Sequence, residues 1–258
     1  MDAASLRDGL QTSVFAQNLI FYDVTDSTNT QAKEMLKRRT LPEGTVLVAA
    51  RQTAGRGTGG RHWESATPES LLFSLVLQTP LRRQPLSFVP AIALARTLRQ
   101  HYGIDAHLKW PNDVLVNHRK LAGILCEGVS QANLQMAWVV GMGVNVNQHA
   151  FPDPIRDIAV SMHNMTGLSY AIEKVFQNYM LEMEQLYHSP EDVIDAWLSH
   201  TRMIGQTIRA TQHDQETIVK VVGMSPEGYL KVEHADGQCE TWTSATSLHI
   251  DRGYSVNP

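Results

Sequence analysis

At 258 residues, 43% hydrophobic and 19% charged, the chain is long enough for one large domain with a smaller one beside it. A net charge of −4 and a pI near 6.2 argue against a generally basic nucleic-acid binder. Cys126 and Cys239 lie far apart and form no C-x-x-C, which argues against a disulfide scaffold. No apolar run approaches the ~18 residues of a membrane span. The opening MDAASLRDGLQTSVF lacks an apolar signal core, so the expectation is a protein of the reducing cytosol.

Residues 18–24 (NLIFYDV) read as a short strand. A helix is predicted over 25–39, capped by Asp26 or Ser27 and basic in its last turn, as the helix dipole favours. TVLVAA (45–50) and LLFSLVLQ (71–78) read as buried strands. The apolar run 85–102 predicts a helix ending before Gly103, with Pro90 marking its first turn. Strands follow at 104–110, stopped by Pro111, and at 114–117, 121–129 and 134–146, with a turn at HRK. The short links at 111–113 and 117–120 predict antiparallel hairpins.

Residues 170–202 are predicted helical, with apolar positions at 172, 175, 176, 179, 180 and 183. In SPEDVIDAWLSH, Ser189 reads as the cap and Pro190 as the first helical residue. After Gly205 the pattern changes to short alternating strands. They form an all-β module of about fifty residues, too small to be stable alone, which must dock on the larger domain. The boundary falls near Ile204, giving an N-terminal extension (1–17), a main domain (18–204) and a C-terminal module (205–258).

The stretch AGRGTGGRHW (54–63) matches Gly-x-Gly-x-x-Gly at 55, 57 and 60. A dinucleotide fold needs a helix directly after that loop, and RHWESATPES leads into a strand instead. No Gly-Lys-Ser/Thr follows, so it is not a Walker loop. Trp63 argues against a bare surface loop, since a large aromatic usually packs or covers something. In KWPND (109–113), alternation puts Ala106, Leu108 and Trp110 on one face and His107 and Lys109 on the other. Alone, that pentapeptide reads better as a surface lysine before an Asx turn, and only its combination with the glycine-rich loop favours a ligand-binding lysine. Gly123 and Gly143 interrupt apolar strands, from a bulge or from close approach of a ligand. Asn145 and Asn147 share a face, able to reach a base edge or to cap the strand end. DSTN (26–29) reads as a helix cap whose hydroxyls also suit polar ligands. No G-x-S-x-G elbow and no zinc-type histidine spacing occurs.

In this order, STN (27–29), Q-x-A-GRG-x-x-GR-x-W (52–63), KWPND, KLAGIL (120–125) and G-x-GVNVN (141–147) resemble the bacterial biotin protein ligases. The resemblance spans roughly residues 18–250. It implies an α+β fold: a mixed, largely antiparallel sheet with helices packed on it, like the class II aminoacyl-tRNA synthetases and the biotin–lipoate ligases. A small C-terminal SH3-like β-barrel completes it. The implied reaction joins biotin to ATP, as MgATP, giving biotinyl-5′-AMP. Transfer to a lysine of the biotin carboxyl carrier protein of acetyl-CoA carboxylase follows. A lipoate/octanoate-type ligase and a non-catalytic biotin- or nucleotide-binding regulator are the alternatives.

The same resemblance implies residue roles. Lys109 and Arg56 are expected to be catalytic. Biotin is expected against Ser27, Thr28, Asn29, Gln52, Gly55, Arg56, Gly57, Thr58, Lys109, Gly123 and Gly143. ATP is expected against Arg56, Arg61, Trp63, Lys109, Asn112 and Asn145. Mg2+ is expected to arrive with ATP rather than in a protein-made metal site, with Asp113 nearby. Relatives include side-by-side homodimers and monomers; no nucleic-acid or membrane partner is expected. Only seventeen residues precede Asn18, too few for a three-helix DNA-binding domain with helices of ~11 residues each. Many relatives carry arginines where this loop has Thr58 and Gly59. The expectation is therefore weaker retention of biotinyl-AMP, or compensation by Arg51 and Arg61.

Overall fold

The computed structural model describes residues 1–250 apart from 66–67, 79–84, 190 and 213–214. Seven strands form one sheet: β1 (Leu19–Thr25), β2 (Val46–Gln52), β3 (Ser70–Leu77), β4 (His107–Lys109), β5 (Asp113–Val116), β6 (Arg119–Ser130) and β7 (Met136–Asn145). Their order is β1-β2-β3-β7-β6-β5-β4. β1 and β2 run parallel because α2 (Thr28–Arg38) crosses between them, and the remaining pairs are antiparallel.

Alternation along β3 gives this sheet two buried faces. Leu71, Phe73, Leu75 and Leu77 join the main core with α3 (Phe88–Tyr102), α5 (Ile172–His188) and α6 (Val193–His200). Val76 and Leu47 point the other way, onto Ala32 and Leu36 of α2. A helix thus covers only part of the second face, and the uncovered part holds the site.

Pro90 is the third residue of α3, inside the first turn where its missing N–H costs nothing, and Gly103 ends that helix in the left-handed conformation. β4 is shorter than the expected 104–110, because β5 offers only Asp113–Val116 to pair with it and Thr201 adds no more than a single bridge at Leu108. The hairpin turn is Asn117-His118, both at positive φ, so the chain re-enters β6 at Arg119 rather than after HRK. Ser189 does not cap α6: it terminates α5. Asp192 caps α6 by accepting from the N–H groups of Ile194 and Asp195. Pro190 lies outside the described residues.

The first seventeen residues pack against the main domain, with Leu6, Thr12, Phe15 and Ala16 buried. α1 (Ala3–Arg7) packs on α5, and Leu6 and Phe15 are fully buried. The Glu184 carboxylate on α5 accepts from the backbone N–H groups of Ser13, Val14 and Phe15 and from the Ser13 hydroxyl.

The second sheet is antiparallel, ordered β11-β10-β9-β8-β12: β8 (Thr207–Gln212), β9 (Gln215–Met224), β10 (Leu230–Glu233), β11 (Cys239–Trp242) and β12 (Thr246–Ile250). Its core residues Ile208, Val221 and Trp242 are continuous with the main core. The Trp110 indole N–H donates to the Gly228 carbonyl at 3.0 Å, and Gly228 lies so close to Pro85 and Phe88 that a Cβ would strike both. Cys126 and Cys239 are both free thiols.

Candidate active site

A cavity of about 670 Å³ opens beside α2, within the size range of small-molecule sites. Ser27 is the N-cap of α2, yet its buried hydroxyl makes no capping bond. The Thr28 backbone N–H donates instead to Gln52 Oε1 at 2.7 Å, and the Thr28 hydroxyl lies 3.1 Å from the same atom. Ser74 Oγ lies 2.7 Å from Thr28 Oγ1 and 2.5 Å from Asn29 Oδ1. A helix start, a strand end and the sheet floor therefore share one buried polar cluster on the cavity wall.

The floor is cut down to backbone at facing glycines: Gly123 of β6 pairs with Gly143 of β7. The Trp63 indole lies directly on Gly143, where any Cβ would collide with it, and also touches Gly123. Gly141, which sequence reasoning missed, similarly makes room for the Asn29 amide. The Trp63 indole N–H is buried without a partner, so this wall has a donor to offer.

The glycine-rich segment folds as a small hairpin over the cavity. Trp63 N–H donates to Gly55 O, Gly57 N–H donates to Arg61 O, and residues 58–60 turn as one 3₁₀ step with Gly59 at φ 64°. A side chain at Gly55 would meet the Trp63 backbone oxygen at 2.6 Å. Of all the expected site residues, Gly55 is the one that does not line the cavity; its job is to close the hairpin.

Cations gather in the same cavity, two from the hairpin and two from the sheet. Arg56, Arg61, Lys109 and Lys120 all line the cavity. Asp113 Oδ2 lies 3.7 Å from Lys109 Nζ, and Asp113 Oδ1 lies 2.6 Å from Lys120 Nζ, an ion pair rather than an aligned hydrogen bond. Burial pulls the Lys109 ammonium below the ordinary lysine range; Asp113 opposes this, and Lys120 and Arg61 add to it. Three carboxylates, Glu64, Asp113 and Asp157, share the lining with these four cations, which leaves a formal excess of one positive charge and favours an incoming anion.

Arg61 is also tethered to Thr58, donating from Nε to its carbonyl at 3.0 Å and from Nη2 to its hydroxyl at 2.8 Å. Arg56 forks onto Glu127, Nη2 to Oε1 at 3.0 Å and Nη1 to Oε2 at 3.3 Å. Burial alone would raise the Glu127 pKa, but hydrogen bonds from Lys33 and Asn29 and the charges of Lys33 and Arg56 hold it below the usual carboxylate range.

Two expected ligands are engaged in bracing. The Asn112 amide donates to Ile124 O at 2.7 Å, and the Asn145 amide donates to Val160 O at 3.2 Å; both residues still line the cavity. Asn147 caps rather than reads a base, pairing with both backbone groups of Tyr170. Arg51, on β2, is exposed and does not line the cavity.

Residues 21–145 match the model of the biotin/lipoate A/B protein ligase family. The bifunctional ligase/repressor BirA of Bacillus subtilis (strain 168) is 35% identical over 247 residues, covering 92% of this chain and 76% of that protein. The chain belongs to the biotin protein ligase family. A biotin–[acetyl-CoA-carboxylase] ligase of Paracoccus denitrificans is 34% identical over 224 residues, covering 80% of this chain and 90% of that one. The biotin protein ligase of Aquifex aeolicus, solved with biotin and ATP, matches at a TM-score of 0.77 and 28% identity, covering 91% of this chain and 100% of that one. The mixed sheet with its helices and C-terminal module is the biotin ligase fold with an SH3-like domain.

Against that family frame, sequence reasoning missed Lys120, Glu127 and His249. Lys120 stood inside the quoted KLAGIL, where the glycine drew attention. Glu127 ends the same strand's apolar run, a visible but unspecific signal. His249, from β12, reaches the cavity together with Leu248, and no local pattern announces it. Burial, then the charges of Lys109 and Arg61, lowers its pKa.

Proposed function

We propose that the chain activates biotin with ATP to biotinyl-5′-AMP and transfers the biotinyl group to a lysine of the biotin carboxyl carrier protein of acetyl-CoA carboxylase. The observation that carries this reading is one cavity combining a buried hydroxyl–amide cluster with an excess of cations. The cluster of Ser27, Thr28, Asn29 and Gln52 suits a polar ureido ring, and a site built to hydrogen-bond such a ring strongly disfavours analogues without it. In the first step a biotin carboxylate oxygen attacks the α-phosphorus, the α–β phosphoanhydride bond breaks, and pyrophosphate leaves. Both reactants are anions, so Lys109 is assigned to the carboxylate and the α-phosphate together, with Arg56 and Arg61 on phosphate oxygens. In the second step the acceptor's neutral amine attacks the acyl carbon. AMP leaves with the bonding pair, and the surplus proton passes to solvent. The acceptor supplies the nucleophile, so no Ser/His or Cys/His pair is required.

The hairpin and the Trp63 indole that it lays on Gly143 suit a lid that excludes water from the mixed anhydride. Mg2+ belongs to this reading as a companion of ATP. Among the described residues no group of three or more metal-ligating side chains forms, and Asp113 is committed to two lysines. A cytosolic location is part of the same proposal, supported by two free thiols. No helix among the described residues is long and apolar enough to cross a membrane.

Biotin-dependent ATP–pyrophosphate exchange tests the reading, with Lys109→Ala beside wild type. Wild type should exchange, and the variant should lose about 10²–10³ in rate. Exchange supported by lipoate or octanoate but not biotin would move the substrate class. No exchange with any of them would leave a binding protein. An unaffected variant would remove Lys109 from its role.

A further inference from the structure

Glu127 is a half-buried carboxylate beside a cavity meant for anions, where a negative charge opposes substrate binding unless it serves another purpose. It does not line the cavity. Four contacts take up its two oxygens. Oε1 accepts from Lys33 Nζ at 2.6 Å and from Arg56 Nη2 at 3.0 Å. Oε2 accepts from Asn29 Nδ2 at 2.9 Å and from Arg56 Nη1 at 3.3 Å. Its side chain is 19% exposed and that of Arg56 is 43% exposed.

The forked geometry decides what this arrangement does. A guanidinium has five N–H donors in one rigid plane, and a bidentate carboxylate uses only one from each terminal nitrogen. The pair with Glu127 therefore fixes the plane of Arg56, a residue that lines the cavity, and leaves its other three N–H donors uncommitted by the fork. Lys33 supplies a second positive charge, so the Glu127–Lys33–Arg56 group keeps a net charge of about +1 and still attracts an anion. The same carboxylate orients Asn29, whose Oδ1 meets Ser74 and whose neighbour Thr28 meets Gln52. A continuous set of contacts thus runs from Gln52, just before the glycine-rich hairpin, to Arg56 within it.

We propose that Glu127 is a positioning residue for adenylate formation: its carboxylate locks the guanidinium of Arg56, and with it the hairpin, in the orientation that meets the phosphate of the nucleotide. This rests on the reading that the chain activates biotin with ATP. A guanidinium set before the substrate arrives loses little freedom in the transition state, which is where such positioning acts on rate.

The test is a double-mutant cycle in the full-length protein, read by biotin-dependent ATP–pyrophosphate exchange and by the melting temperature. Glu127→Gln keeps the shape but loses the charge and the fork, and should lower kcat/KM by about 10- to 100-fold, the range for a lost hydrogen bond between charged groups. The melting temperature reports separately the stability lost with the two ion pairs, and assays are run well below it so that the rate is read on folded protein. In an Arg56→Ala background, Glu127→Gln should change exchange by no more than about twofold, because Glu127 acts through Arg56. Additive losses would overturn the inference, as would full activity in Glu127→Gln. If Glu127→Gln does not fold, Arg56→Lys decides. A lysine cannot form the fork, so exchange should fall as far as in Arg56→Ala, and wild-type exchange in Arg56→Lys would overturn the inference. A wild type without exchange would take down the underlying reading and this inference together; exchange in wild type with an unaffected Glu127→Gln would take down this inference alone.

Discussion

Thr58 and Gly59, where the resemblance led us to expect arginines, each have a local task here. Thr58 tethers Arg61 through its carbonyl and hydroxyl. Gly59 sits at φ 64°, where an L-residue costs roughly 1–2 kcal/mol, so an arginine there would strain the turn. Thr58 is at an ordinary backbone position and can be replaced. Thr58→Arg should slow release of biotinyl-AMP by about tenfold, the size of one added charge-assisted contact. Release can be followed by separating free from bound intermediate after a single turnover. An unchanged rate would reject the idea that the missing cation makes the intermediate leak. Of the compensating arginines expected from sequence, Arg61 lines the cavity and Arg51 does not.

The N-terminal element shows how a carboxylate can hold a segment that has little pattern of its own. α1 has five residues, too short for a helical period, and the turn after it is held by Glu184. Burial would raise the Glu184 pKa, but the hydrogen bonds from Phe15, Ser13 and Val14 outweigh it, and the value lies below the ordinary 4.5. A lowered folded-state pKa means that the stabilisation is complete above the unfolded value and is lost as pH falls through the folded one. Glu184→Gln should therefore cost about 1–3 kcal/mol at neutral pH, and much less once the wild-type carboxyl is protonated. Denaturant melts of both proteins over a series of falling pH values check this; a gap that stays constant until both proteins unfold would refute it.

On the scale of the molecule, the C-terminal sheet completes the cavity. Leu248 and His249 line it, while Trp110, Pro85 and Phe88 seat the Gly228 turn on the main domain. Gly228 has φ 83°, and a methyl group there would strike Pro85, so Gly228→Ala combines backbone strain with a clash. The expected loss is about 1–3 kcal/mol of stability, together with a higher KM for ATP as Leu248 and His249 shift. Thermal melts and exchange kinetics read the two effects. Lost stability with an unchanged KM would show that the module supports the fold without shaping the site.

Periodicity alone determined most elements, since alternation and helical spacing are local properties of the chain. Motif order in KWPND, KLAGIL and the glycine-rich run was enough to indicate the ligase family, because each short pattern is weak but their succession is not. The caps were less legible: Ser189 and Asp192 are equally good cap residues in sequence, and the three-dimensional path of the chain chose between them. Tertiary structure alone decided which cations face one cavity, that Glu127 forks onto Arg56 across 71 positions, and that His249 arrives from a separate sheet. Those are contacts between residues distant along the chain. Their distances are set by how the sheets and helices pack, a property that no local spacing encodes.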